Sequence, residues 1–260
     1  MLRLCANLKW LFTEHPFLDR FNAAANAGFT AVEYPSPYEY SAAKLRQLLK
    51  QNGLKQILIN TPVGPATQGE ASGMACIPGR ETAFRDGLKK ALDFAVELEC
   101  PLVHVLAGIQ PADVAHESAS AVYLENISWA AELAEKAQVM LTLESINQRD
   151  IPGFFLRTQE QAANVIDIVG RERVGIQFDI YHCQVQQGDV TRRLETLMPK
   201  IAHIQIADAP LRNEPGTGEI AWEYVIHRIE QLGYQGWVGC EYAPASSTVA
   251  GLKWRDRFNH

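Results

Sequence analysis

Four oxygen-bearing side chains recur at regular intervals in the second half of the chain. Glu144, Asp179, Gln205 and Glu241 lie 35, 26 and 36 residues apart, about the length of one strand–helix unit. Three carboxylates in one small site repel one another, and one of them takes up a proton unless a cation is present. Because the set offers only oxygen atoms, it suits Mg²⁺ or Mn²⁺ better than Zn²⁺. The spacing therefore predicts a metal site, and the alternative for each residue alone is an ion pair at a strand end.

Other polar residues end further apolar runs of the sequence. They are Asn7, Glu33, Asn60 and, near the end of its run, His104. If the runs are parallel strands, their polar ends converge at one opening, where we assign Asn60 and His104 to substrate binding. His182 follows Asp179 by three residues and is expected at the start of a loop, placed to polarise a substrate. The alternative for His182 is a solvated loop histidine.

Alternating strands and helices are expected to position these side chains. The predicted strands are Leu2–Asn7, Ala31–Glu33, Gln56–Asn60, Leu102–Leu106, Met140–Glu144, Val174–Asp179, Ala202–Ile206 and Val238–Glu241. The predicted helices are Pro16–Ala27, Ala42–Asn52, Arg80–Leu98, Glu117–Lys136, Gln159–Val169, Val190–Met198 and Trp222–Leu232. Eight such units over about 250 residues predict an α/β fold, a (β/α)8 barrel in a single domain over residues 1–260. The rival, a doubly wound open sheet, would normally carry a GxGxxG loop after the first strand, and none is present.

Composition excludes several classes of protein. The 260 residues carry a formal charge of -6, which disfavours a dedicated nucleic-acid binder. The five cysteines are widely spaced without a CxxC pair, as is typical of reduced thiols, and we expect a cytoplasmic protein. No apolar stretch is long enough for a transmembrane helix, so no membrane partner is expected. The Gly- and Pro-rich segment Thr61–Gly79 is predicted to be a long functional loop.

Several longer motifs resemble one known family from end to end. They are Ala6-Asn7-Leu8, Cys76-Ile77-Pro78-Gly79-Arg80-Glu81, Ile151-Pro152-Gly153-Phe154, Asp179-Ile180-Tyr181-His182, His203-Ile204-Gln205-Ile206-Ala207-Asp208, Glu214-Pro215-Gly216-Thr217-Gly218-Glu219 and Gly236-Trp237-Val238-Gly239-Cys240-Glu241-Tyr242. The chain resembles the hydroxypyruvate isomerase family, in the xylose-isomerase-like superfamily of (β/α)8 barrels. The resemblance implies that Glu144 and Glu241 form the catalytic pair and that Glu144, Asp179, Gln205 and Glu241 hold a divalent ion. Related sugar epimerases carry histidine in place of Gln205.

The chain departs from the family pattern at three positions. Ser145 stands where the family usually has proline, Ala243 where it has lysine, and Lys9 where it has serine. The first and eighth strands of a closed barrel are neighbours, so we expect the Lys9 ammonium to replace the missing lysine and to attract the substrate carboxylate. The alternative is that Lys9 points into solvent.

The resemblance implies conversion of hydroxypyruvate to 2-hydroxy-3-oxopropanoate (tartronate semialdehyde) by glutamate-mediated proton transfer. Arg212, in the loop after the seventh strand, is predicted to orient this small 2-oxo-hydroxy acid. Three alternatives stay open: an isomerase of a longer acid such as 2-oxo-tetronate or a ketose epimerase, an endonuclease IV-like phosphodiesterase, and a non-catalytic binding barrel. A phosphodiesterase would need several metals, more histidines and a basic groove. A homo-oligomer is compatible with the sequence.

Overall fold

A computed structural model of the protein describes residues 2–170 and 172–257, and within these ranges it contains parallel strands alternating with helices. The strands are β1 (Arg3–Asn7), β2 (Ala31–Glu33), β3 (Lys55–Gln56), β4 (Leu58–Asn60), β5 (Leu102–His104), β6 (Met140–Glu144), β7 (Val174–Asp179), β8 (Ile201–Ile206) and β9 (Trp237–Cys240). The α-helices are α1 (Arg20–Asn26), α2 (Ala42–Gln51), α3 (Glu81–Glu97), α4 (His116–Ala137), α5 (Gln159–Val169), α6 (Ile180–Gln186), α7 (Val190–Leu197), α8 (Trp222–Gln231) and α9 (Thr248–Gly251).

The strands curl into a nearly closed barrel. Their order is β3-β2-β1-β9-β8-β7-β6-β5-β4, with every pair parallel. The predicted third strand, Gln56–Asn60, is divided because β3 bonds to β2 on one side and β4 bonds to β5 on the other. Between them the Ile57 amide donates to the Val32 carbonyl at 2.9 Å, which keeps the two halves in one wall. The predicted (β/α)8 barrel is therefore confirmed, with its third strand split between two partners.

The helices cover the barrel with apolar stripes. On α3 the buried side chains follow helical spacing, and they are Phe84, Leu88, Ala91, Leu92 and Ala95. Serine and threonine start two of the helices, because Ser41 accepts from the Lys44 amide and Thr158 accepts from the Gln161 amide. No helix among the described residues is both long and apolar enough to cross a membrane.

The segment after β7 is the main departure from the predicted elements. The expected loop at His182 is instead the helix α6, which begins directly after Asp179. The Asp179 side chain caps this helix by accepting from the amides of Tyr181 and His182 at 2.8 and 3.3 Å. His182 is therefore held in a first helical turn, where it is almost fully buried.

Candidate active site

The carboxyl ends of the strands surround one cavity of about 310 Å³. Its lining includes all seven residues predicted to bind substrate or to react, namely Lys9, Asn60, His104, Glu144, His182, Arg212 and Glu241. Asp179 and Gln205 lie behind this lining and are almost fully buried. The predicted site residues are thus gathered at one end of the barrel, as the strand pattern requires.

A single guanidinium bridges two of the carboxylates. Arg212 donates through Nη2 to Glu241 Oε2 at 2.7 Å and to Asp179 Oδ2 at 3.2 Å. Its Cζ lies 4.9 Å from the ring centroids of both Trp10 and Tyr181, so two aromatic rings hold the cation in place. Arg212 adopts a left-handed φ of 58°, which is unusual for a residue with a side chain and points to a functional constraint.

The three carboxyls carry more negative charge than Arg212 offsets. Burial raises the pKa of Glu144 well above its ordinary value, and repulsion from Glu241 and Asp179 raises it further. Burial also raises the pKa of Asp179, and it raises the pKa of Glu241 to about 7 even though Arg212 opposes this shift. Glu144 Oε1 is buried and has no hydrogen-bond partner within residues 2–170 and 172–257. This carboxylate-rich site with an unsatisfied oxygen fits a divalent cation.

Two sets of donors are available to such an ion. Ligand atoms of Glu144, Asp179 and His182 lie within 4.8 Å of one another. The predicted all-oxygen set shares Glu144 and Asp179 and adds Gln205 and Glu241. A hard ion prefers the oxygen set, whereas inclusion of the His182 imidazole would favour Zn²⁺ and its neighbours.

His182 presents an N–H to the site. Burial lowers the pKa of His182 well below its ordinary value, and the charge of Arg212 lowers it further, so the ring is neutral. Asn147 Oδ1 accepts from the Asp150 amide, so Asn147 turns its Nδ2 toward His182 Nδ1, at 2.7 Å. With Nδ1 accepting, the proton of the neutral ring lies on Nε2, which is 3.9 Å from Glu144 Oε1 and 3.6 Å from Asp179 Oδ2. His182 can therefore donate a hydrogen bond to a substrate oxygen.

The other predicted binding residues occupy different parts of the cavity. Burial lowers the pKa of His104 to about 3, so this ring is also neutral, and its Nδ1 lies 3.5 Å from Glu144 Oε2. Asn60 lies at the end of β4 on the cavity lining. Lys9 is exposed at the rim, with its ammonium 5.4 Å from the Trp10 ring. Its positive charge lowers the pKa of Glu241 slightly, against the larger effect of burial.

A buried polar network lies beneath the cavity. Glu33 Oε1 accepts from Asn7 Nδ2 at 3.0 Å and from Gln205 Nε2 at 2.8 Å. Glu33 Oε2 accepts from His203 Nε2 at 2.7 Å and from Cys5 Sγ at 3.2 Å. Burial by itself would raise the pKa of Glu33, but the favourable electrostatic interaction with the His203 ring and these hydrogen bonds outweigh it, so the pKa lies below its ordinary value.

One wall of the cavity comes from the predicted loop Thr61–Gly79. Its contribution to the lining is Thr61, Pro62, Val63, Ala71 and Ser72. The loop is closed by Glu70, whose two carboxylate oxygens each lie 2.7 Å from a guanidinium nitrogen of Arg80. It is also tied to the segment after β5, because the Cys76 amide donates to the Ala107 carbonyl at 2.8 Å.

Comparison with known proteins agrees with this architecture. Residues 21–258 match the family model described as xylose isomerase-like TIM barrel. The chain belongs to this family. It is 45% identical to the 2-oxo-tetronate isomerase of Cupriavidus necator over 254 residues, which cover 98% of this chain and 97% of that protein. It is also 45% identical to the hydroxypyruvate isomerase of Escherichia coli over 258 residues, which cover 99% of this chain and 100% of that protein.

A solved structure extends the comparison. The crystal structure described as AP endonuclease, family 2 from Brucella melitensis shares 39% identity, with a TM-score of 0.96 and full coverage of both chains. The two relatives compared over nearly the whole chain are named isomerases, and this xylose isomerase-like barrel is an enzyme of the isomerase class. The resemblance noted in the sequence is thereby confirmed.

Sequence reasoning missed several residues of this family member's site. Trp10 and Tyr181 hold the Arg212 cation, and Asn147 sets the proton position on His182. The position of Tyr181 beside Asp179 and that of Trp10 shortly after β1 were available signals, because residues just past strand ends line such cavities. Glu33 was recognised as a polar strand end without a role.

Proposed function

We propose that the enzyme interconverts hydroxypyruvate and 2-hydroxy-3-oxopropanoate. A proton leaves C3 of hydroxypyruvate and a proton is added at C2, while the hydroxyl proton on the C3 oxygen passes to the C2 oxygen. The observation that carries the proposal is that two carboxyls, the buried Glu144 and the partly buried Glu241, line one small cavity, where burial raises the pKa of Glu144 well above its ordinary value and that of Glu241 to about 7. A carboxyl whose pKa lies near neutrality can both accept and return a proton at physiological pH.

The side chains divide the work of this reaction. Glu144 is the last residue of β6 and Glu241 directly follows β9. These strands are separated by two others, so the two glutamates approach a bound substrate from different sides of the barrel. The Nε2–H of His182 is placed to hold a substrate oxygen, and Arg212 and Lys9 supply the positive charge that attracts the carboxylate of the acid. A divalent ion held by Glu144, Asp179, Gln205 and Glu241, which we propose to be Mg²⁺ or Mn²⁺, would supply positive charge for the enediolate oxygens when bound.

The test is proton NMR of hydroxypyruvate with enzyme and Mg²⁺ in D₂O. We expect 2-hydroxy-3-oxopropanoate to form, with solvent deuterium entering at the carbon that receives the proton. Parallel samples contain 2-oxo-tetronate or an oligonucleotide with one abasic site. Faster turnover of the four-carbon acid would replace the proposed substrate, and strand cleavage without isomerisation would overturn the proposed reaction.

A further inference from the structure

Glu33 is a fully buried carboxylate to which the proposed reaction gives no part. It lies at the end of β2 and accepts hydrogen bonds from residues on β1 and β8. The barrel leaves space for it at Gly239 on β9, where a Cβ would lie 2.4 Å from Glu33 Oε1. Each side chain that touches Glu33 does so through a donor, because an ionised carboxylate can only accept.

The contact with Gln205 determines which end of this amide faces Glu33. The Nε2 of Gln205 donates to Glu33 Oε1 at 2.8 Å, so Gln205 Oε1 must point away from Glu33. There it accepts from Gln177 Nε2 at 2.7 Å, and Gln177 Oε1 accepts from Thr142 Oγ1 at 2.9 Å. Every donor in this row points toward Glu33. A carbonyl oxygen has two lone pairs, so Gln205 Oε1 keeps one for a further partner.

Glu33 also acts on the other side of the site through Asn7. Asn7 Nδ2 donates to Glu33 Oε1 at 3.0 Å and to Glu241 Oε1 at 3.1 Å. The amide cannot turn over, because its Oδ1 accepts from the Lys9 amide at 3.1 Å. Glu33 Oε1 therefore contacts the proposed ligand Gln205 directly, and it also contacts Asn7, which donates to the proposed ligand Glu241.

We infer that Glu33 is a positioning residue that holds the Gln205 amide with its oxygen, and not its nitrogen, available to the divalent ion, an inference that rests on the proposed function. Without the acceptor at Glu33, Gln205 could rotate and present Nε2, which cannot bind a cation. Outer residues that orient metal ligands typically change metal affinity by about 10–100-fold when they are altered.

Two substitutions of Glu33 distinguish the effect of its hydrogen bond to Gln205 from the effect of its negative charge. Glu33→Gln removes the negative charge but keeps an acceptor oxygen, and the fixed Asn7 amide turns that oxygen toward Asn7 and Gln205. The new amide nitrogen then faces His203, which can accept through Nε2 in its other neutral tautomer. Glu33→Asp keeps the charge but is one methylene shorter, so it withdraws its oxygens from Gln205.

The readout is Mn²⁺ affinity of the metal-stripped protein, measured by electron paramagnetic resonance without substrate, with circular dichroism as the check on folding. We expect Glu33→Gln to bind within about 3-fold of wild type and Glu33→Asp to bind about 10-fold or more weakly. The matched control is Gln177→Met, which also removes a buried contact to the Gln205 amide but leaves the Glu33 acceptor, and it should bind within about 3-fold of wild type.

The outcomes separate this inference from the proposed function. Absence of Mn²⁺ binding by the wild-type protein would overturn the proposed metal site and the role of Glu33 together. If wild type binds Mn²⁺ but Glu33→Gln binds it weakly and Glu33→Asp binds it normally, the effect is one of charge, and the positioning role alone is overturned. A loss of Mn²⁺ affinity in Gln177→Met equal to that in Glu33→Asp would also overturn the positioning role. If Glu33→Asp does not fold, a loss of about 10-fold or more in Glu33→Gln still overturns the inference.

Discussion

Arg212→Met tests whether the guanidinium balances the buried carboxylates. Arg212 contacts Glu241 and Asp179 at 2.7 and 3.2 Å, and its side chain is only 15% exposed. Unit charges about 3 Å apart attract by about 5 kcal/mol at an effective dielectric constant near 20. Methionine still packs between Trp10 and Tyr181 but supplies no charge.

The loss of unfolding free energy in Arg212→Met is limited because a carboxyl in the site can take up a proton. The size of this loss therefore depends on pH. The pKa of Glu241 is about 7 in the folded protein with Arg212 present, above its ordinary value of 4.5, and loss of Arg212 raises it further. A carboxyl whose pKa is raised on folding stabilises the protein at low pH, and this contribution to the free energy of unfolding is lost as the pH rises through the folded-state pKa. Wild type therefore stops losing it near pH 7, whereas Arg212→Met continues to lose it above pH 7. The difference in the free energy of unfolding between the two proteins should therefore widen by about 1.4 kcal/mol per pH unit above pH 7.

Urea unfolding in EDTA between pH 6 and 9 measures this gap. We expect a difference under about 1 kcal/mol at pH 6 and of about 3 kcal/mol at pH 9, in line with the usual loss when one partner of a buried ion pair is removed. Excess Mg²⁺ should narrow the gap at pH 8. The control is Arg149→Met, which also lies against the Tyr181 ring but is half exposed, and it should follow wild type within about 0.5 kcal/mol. A gap that is constant across pH would refute the reasoning.

Four further outcomes are expected. Glu144→Gln and Glu241→Gln should each fold and lower turnover by about 10²–10⁴-fold in a steady-state assay, and normal turnover in both would exclude them as the proton-transfer pair. EDTA should abolish activity, and Mg²⁺ or Mn²⁺ should restore it better than Zn²⁺. Gln205→His should shift this metal preference toward Co²⁺ or Zn²⁺, and full activity of a metal-free sample would contradict the metal site. Asn147→Leu should lower kcat about 10-fold because the His182 proton is no longer fixed on Nε2, and an unchanged kcat would exclude that role. Lys9→Ala should raise KM several-fold without changing Tm, and an unchanged KM would place the ammonium outside substrate binding.

The strand ends were predictable from sequence because their pattern is local. Period-two alternation and the polar residue that ends each run placed Glu144 and Asp179 at the opening of the barrel. The split of the third strand at Ile57 was not predictable, because it depends on which neighbours pair with each half. The helix after Asp179 was missed because its cap is a hydrogen-bond geometry and its first residues, Ile180 and Tyr181, are weak helix formers.

The chemistry of the site was only partly predictable for a related reason. Arg212 and His182 were identified as single polar residues near strand ends, but their partners are distant in sequence. Glu33 meets Cys5 across 28 residues and His203 across 170, and no local pattern reports such pairs. Contacts of this kind are fixed by the curvature and closure of the barrel.

The loop closed by Glu70 and Arg80 has a consequence for how this enzyme can diverge. The loop supplies one wall of the cavity, while Glu144 at the end of β6 and Glu241 directly after β9 lie on other parts of the barrel. Because Glu70 pairs with Arg80, the residue that directly follows the loop, this closure is local in the sequence. The wall can therefore change in length while Glu144 and Glu241 keep their places, as long as the hydrogen bond from Cys76 to Ala107 is kept. Natural variation or loop grafting in this segment can therefore alter the size and shape of the cavity without moving Glu144 or Glu241, so that the space offered to a small-molecule substrate is set by one replaceable stretch of chain.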